Sequence, residues 1–175
     1  LTVGGGIKKL EHVQAMMDAG ADKVVISTGA FENKKLLDQI SKNYGSQAII
    51  SSIDCKKVNH SYYLMKNHGK ELVKEKPLNW AKHCINSGAG ELLINNIDFD
   101  GSLLGFDLKL VKLFSKNVNL PIIALGGAGN WEHILELFNK TNISGACTQN
   151  IYHFTNQSLL SLKDFLKKNK INIRN

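Results

Sequence analysis

The sequence predicts an α/β fold built on a parallel sheet, and three observations carry the prediction. Short runs rich in valine and isoleucine alternate with segments whose apolar residues recur at helical spacing. Glycine clusters stand where a run of the first kind gives way to one of the second. The pattern also repeats: Gly5-Gly6 followed by Leu10-Glu11-His12-Val13 returns, at a single offset, as Gly126-Gly127 followed by Trp131-Glu132-His133-Ile134. Strands that alternate with helices are joined by right-handed crossovers, which make neighbouring strands parallel.

The elements follow in order. Residues before Gly4 read as the end of a strand, and Leu10 to Ala19 as the helix after it. Asp22 to Thr28 (DKVVIST) reads as a strand, Lys34 to Asn43 as a helix and Ser46 to Asp54 (SQAIISSID) as the next strand. Cys55 to Lys76 breaks the rhythm. Tyr62-Tyr63-Leu64-Met65 alternates and His68-Gly69 reads as a turn, so a hairpin is expected after that strand, where barrel folds place functional insertions. The alternation then resumes with helix Leu78 to Asn86, strand Glu91 to Asp98 and helix Leu108 to Ser115. Strand Pro121 to Leu125 follows, with its proline at the first position, where a missing N–H does no harm. Helix Trp131 to Phe138, strand Gly145 to Thr148 and helix Leu159 to Lys168 complete the series.

A four-unit period in such a chain is the mark of a doubled half-barrel, with eight strands in the whole. The chain is therefore expected to be the C-terminal part of one (β/α)8 barrel domain spanning 1–175, from the end of the third strand through the eighth helix. The first two to three units are expected upstream, since Leu1 is no start methionine. A remnant open at both sides would expose two parallel edges and self-associate.

Composition narrows the function. With 43% apolar and 21% charged residues the 175-residue chain is globular, and its apolar runs of about four residues are far too short to span a membrane. No signal-peptide pattern opens it, and Cys55, Cys84 and Cys147 form neither a close pair nor a metal spacing, so free thiols in the cytoplasm are expected. The 22 basic residues against 15 acidic give +7. All but Arg174 are lysines without interleaved aromatics, which argues for a solvated surface rather than nucleic acid, and a positive field also favours an anionic small substrate.

Both repeats put glycines between a strand end and a helix, where backbone N–H groups can approach a phosphate. The next strands end in Ser27-Thr28 and Gln149-Asn150. Two such sites at pseudo-twofold positions suit a substrate with a phosphate at each end; tight turning alone is the plainer explanation of one glycine loop. Asp54 and Asp98 are read as closing their strands, with Asp100-Gly101 beyond. A carboxylate at such a position faces the barrel mouth and can move protons, whereas a helix-capping aspartate is the alternative. His12 and His133 read as helix-surface or packing residues. His60, His68, His83 and His153 have no metal spacing, and Cys55 points to the opposite strand face from Asp54. No metal or cofactor is expected.

LTVGGGI, GADKVVIST, GSQAIISSID, GAGELLINNIDFDG, GFDL and PIIALGGAGNWEH together resemble, over essentially the whole chain, the cyclase subunit of imidazole glycerol phosphate synthase. The resemblance implies a (β/α)8 barrel that works with a glutaminase as a heterodimer. Ammonia crosses the barrel to a bisphosphorylated ribulosyl carboxamide, giving imidazole glycerol phosphate and an aminoimidazole carboxamide ribotide. By position, Asp54 matches a catalytic aspartate whose partner lies in the first strand. Gly6, Ser27, Thr28, Asp100, Gly101, Gly126, Gly127 and Asn150 fall at substrate or phosphate positions. Lys23 and Glu91 match two members of a charged gate at the barrel's far end, and Asp22 and Gln47 the glutaminase interface.

The chain also departs from that family. Ser27 replaces an asparagine, Asn95 a threonine and Leu125 a serine, while Gln149-Asn150 replace a small residue and a serine. The first phosphate site is thereby nearly intact and the second altered. This resembles divergent paralogues tied to surface polysaccharides, which would pass ammonia to a sugar nucleotide. A barrel that only supports the glutaminase is a further alternative. The sister isomerase of histidine synthesis needs no gate, so Lys23 and Glu91 speak against it.

Overall fold

The computed structural model describes residues 1–149, 151–152 and 158–174. Six strands form one parallel path: β1 (Thr2–Gly4), β2 (Lys23–Ile26), β3 (Ile49–Val58), β6 (Glu91–Asn96), β7 (Ile122–Leu125) and β8 (Gly145–Cys147), each paired with the next. Helices α1 (Leu10–Asp18), α3 (Leu36–Tyr44), α4 (Pro77–Asn86), α5 (Leu108–Ser115), α6 (Trp131–Lys140) and α7 (Leu159–Lys168) make the crossovers and the outer layer. This is the arc of a (β/α)8 barrel. Among the described residues, β1 pairs only with β2 and β8 only with β7.

Period-two alternation sorts the strand residues. Val24, Ile26, Ile49, Ile53, Leu92, Ile94 and Ile122 point outward and are buried with Leu37, Ile40, Trp80 and Phe114 of the helices. Ala124 joins Val111, Ile134, Leu137 and Leu166 in a second cluster under α5, α6 and α7. Their alternate neighbours, Val25, Ile50, Leu93 and Ile123, line the concave side, around a cavity of about 610 Å³ that continues past β8 to α7.

The structure differs from the sequence expectation at five places. Asp54 does not close its strand: β3 runs on to Val58 because its far half pairs antiparallel with β4 (Ser61–Lys66), from Asp54↔Met65 to Val58↔Ser61. β5 (Glu71–Val73) then pairs with β4, so the insertion is a three-stranded ribbon rather than a simple hairpin. Asp98 does not close a strand either. β6 stops at Asn96, and Asp98 sits in the following turn, accepting from the Lys57 N–H at 3.3 Å and pairing with Lys56 Nζ at 3.7 Å. Ser46–Ala48 is a 3-10 turn ahead of β3, and a short helix α2 (Thr28–Glu32) follows β2. α2 packs so closely on the first glycine loop that a Cβ on Gly29 would lie 2.0 Å from the Ile7 carbonyl oxygen.

Candidate active site

Asp54 stands on the concave face near the C-terminal ends of the strands, half-buried. Ser27 Oγ, from the end of β2, donates to its Oδ2 at 3.0 Å, and Asn95 Nδ2, opposite it on β6, donates to its Oδ1 at 3.2 Å. Two neutral donors thus hold both carboxylate oxygens, which fixes their direction without neutralising the charge. The carboxylate also orients the Asn95 amide: its NH₂ must face Asp54, which turns Oδ1 the other way. That oxygen is buried and, among the described residues, accepts no hydrogen bond. Gly126 leaves it room, since a Cβ there would come within 2.8 Å of it.

Glycine loops flank this carboxylate. The first borders a cavity of about 250 Å³ lined by Gly5, Gly6, Lys8, Ser27, Thr28, Asp54, Asn67 and His68, among others. Gly5 and Gly6 have φ of 108° and 68°, backbone that L side chains avoid and that keeps this loop free of Cβ atoms. Lys8 Nζ pairs with Glu32 at 3.0 Å at the rim. The second cavity, about 280 Å³, is lined by Asp100, Gly101, Leu125, Gly126, Gly127, Ala128, Cys147, Thr148 and Gln149. Here Gly105 N–H donates to the Gly127 carbonyl at 2.7 Å, strapping the β6–α5 loop onto the glycine turn. Burial, and then the charge of Asp100, push the Cys147 thiol upward, so it stays protonated. Asn150 and His153 lie outside the described residues.

Lys23 and Glu91 form an ion pair at the N-terminal ends of β2 and β6, opposite the Asp54 end of the strands. Asp22 and Gln47 are exposed at the same end, with Gln47 Nε2 donating to the Tyr44 carbonyl at 2.9 Å. The structure therefore separates the candidate residues into a mouth group and a base group, with the apolar concave wall between them.

Sequence reasoning missed Asp107 and His68. Asp107 N-caps α5, accepting from Lys109 and Leu110 N–H at 3.1 Å, and also takes the Asn96 amide at 2.7 Å and the Tyr62 hydroxyl at 2.8 Å. An aspartate just before a helical run was the available signal. Its contact with Tyr62, a tyrosine of the inserted ribbon, had none. Burial and the Asp107 contact raise the Tyr62 phenol, which remains a donor. Burial likewise holds Cys55 protonated and pushes Cys84 up to about 11, so neither is a nucleophile. The two repeated histidines each brace a glycine loop. Lys8 N–H donates to His12 Nδ1 at 3.4 Å, and Gly129 N–H to His133 Nδ1 at 3.2 Å. Among the described residues, no group of three or more His, Cys, Asp or Glu gathers as metal ligands would, and no helix is long and apolar enough to cross a membrane.

A parallel β/α arc with loops and a held carboxylate at its C-terminal strand ends defines an enzyme of the (β/α)8 barrel class. Residues 1–158 match the family described as histidine biosynthesis protein. The chain is 41% identical over 174 residues to the imidazole glycerol phosphate synthase subunit HisF of Hydrogenobaculum sp. (strain Y04AAS1), covering 99% of this chain and 69% of that protein. Coverage is the same for the subunits so named from Chlorobium phaeobacteroides (strain BS1), at 40% identity over 174 residues, and Bacillus cereus (strain G9842), at 37% over 175. The chain belongs to the histidine biosynthesis protein family, as a cyclase of the imidazole glycerol phosphate synthase type, and is a lyase.

Proposed function

We propose that this barrel takes a bisphosphorylated ribulosyl aminoimidazole carboxamide across its mouth and cyclises it with ammonia from a glutaminase partner in the cytoplasm. The observation that carries the reading is the placement of Asp54 and Asn95 between two glycine loops. One phosphate lies against Gly6, Ser27 and Thr28, the other against Asp100, Gly101, Gly126, Gly127 and Asn150. Asp54 exchanges protons with the reacting carbon and nitrogen atoms, aimed by Ser27 and Asn95. The unmatched Asn95 Oδ1 accepts from a substrate N–H or O–H, since a buried acceptor left without a donor costs about 1–3 kcal/mol.

The base group fits an ammonia entrance. Lys23 and Glu91 sit where the path would begin, and Val25, Ile50, Leu93 and Ile123 beyond them favour neutral ammonia over ammonium and water. Asp22 and Gln47 face the glutaminase there. In the full-length enzyme, Asp54→Asn is expected to lower turnover by about 10²–10⁴ with substrate affinity nearly unchanged. Unimpaired turnover would leave Asp54 as a structural residue.

Leu125 and Gln149 favour a second reading. They line the second cavity where a hydroxyl donor and small residues would serve a phosphate better, which suits transfer of ammonia to a sugar nucleotide.

A further inference from the structure

The β4–β5 turn brings a histidine over the first glycine loop, on backbone that a histidine does not favour. Asn67, His68 and Gly69 have φ of 51°, 58° and 77°, three left-handed residues in succession. The turn is fastened from several sides. At the far end of β4 Tyr62 bonds Asp107, and across the turn Lys66 pairs with Glu71 at 2.9 Å. At its tip Asn67 N–H donates to Thr28 Oγ1 at 3.0 Å. Gly69 lies under Ile97, so close that a Cβ would come 2.6 Å from Ile97 Cδ1. His68 is therefore held at the rim of the cavity that Gly5, Gly6, Thr28 and Asp54 line.

Charge and hydrogen bonding give this position a use. The lysine at that rim, Lys8, is already paired with Glu32. Thr28 Oγ1 accepts from the turn, which leaves its own O–H free to donate into the cavity. The imidazole of His68 is exposed and, among the described residues, has no hydrogen-bond partner. It carries one N–H when neutral and two when protonated, and either form suits a phosphate oxygen.

We propose that His68 is a phosphate-binding residue, donating an imidazole N–H to an anion seated on the Gly5–Gly6 loop. The inserted ribbon is then part of the substrate site, and the mouth holds its two phosphates unequally. This rests on reading the Gly5–Gly6 loop as a phosphate site, and the test separates the two. The full-length protein is titrated with inorganic phosphate while the amide signals of Gly6, Thr28 and Gly127 are followed by NMR. His68→Gly relieves the left-handed backbone and removes the imidazole. It is expected to weaken phosphate at Gly6 and Thr28 about tenfold, with no change at Gly127. His68→Asn, which tolerates this φ and keeps an N–H donor, is expected to retain more of the affinity. If His68 only shaped the turn, the glycine variant would match or exceed the parent, and that result overturns the proposal while leaving the phosphate site intact. No response of Gly6 and Thr28 to phosphate in the parent would overturn the phosphate reading and the proposal with it.

Discussion

In the first cavity, Gly5 and Gly6 have φ of 108° and 68° beside Ser27, Thr28, Lys8 and His68; in the second, Gly126 and Gly127 have 92° and 105° beside Leu125, Cys147 and Gln149. The same hydrogen bond, from a loop N–H to a histidine Nδ1, follows each glycine pair. Backbone geometry has thus been kept in both halves of the repeat while the surrounding side chains diverged. The two loops also differ in crowding. Among the described residues, a Cβ on Gly5 or Gly6 would meet nothing within 4 Å, whereas one on Gly127 would lie 2.0 Å from the Gly105 carbonyl oxygen. The first loop is open for a ligand, and the second is also a packing joint.

The difference in crowding predicts the largest effect on stability. Gly127→Ala must displace the β6–α5 loop as well as adopt an unfavourable φ, and is expected to destabilise the full-length protein by about 3 kcal/mol or more. Gly5→Ala meets only the backbone penalty, about 1–2 kcal/mol. Urea unfolding of the two variants checks the contrast, and equal losses would abolish it.

The side chains come next. Changing Leu125→Ser, Gln149→Ala and Asn150→Ser together restores a hydroxyl and removes bulk at the second cavity. If the bisphosphate is the substrate, its affinity should rise by about 10- to 100-fold. If a sugar nucleotide is the native substrate, the same triple change should damage the native reaction instead. Isothermal titration of the parent with the bisphosphate sharpens this: micromolar or tighter binding without the changes would remove the case for a divergent substrate.

The smallest effect concerns pH. Cys84 is raised to about 11 by burial, so unfolding lets its thiol ionise at a lower pH than the fold does. Its contribution is whole below the unfolded thiol's range, near pH 8.5, and is lost as pH rises toward 11. Cys84→Ala should flatten that alkaline decline in a series of melts, and an unchanged slope would assign it to other groups.

Periodicity made the helices and the parallel strands legible, because a buried stripe every 3.6 residues or a buried face every second one leaves its mark locally. The repeat made the barrel legible, since two matched loops four units apart require a closed or closing arc. Asp54 was legible as a carboxylate near a strand end, and its neighbour Cys55 as an outward residue, from alternation alone. The hydrogen-bonded group around it was not. Ser27 and Asn95 meet Asp54 from strands 27 and 41 residues away along the chain. That meeting depends on the register of β2, β3 and β6, which no local pattern encodes. The extension of β3 past Asp54, the anchoring of Tyr62 on Asp107 and the arrival of His68 over the first loop likewise depend on the ribbon's pairing and twist. Local sequence determined which segments could be strands and which faces they would bury. Tertiary packing alone decided which polar side chains converge, because convergence is set by contacts between residues that the chain keeps far apart.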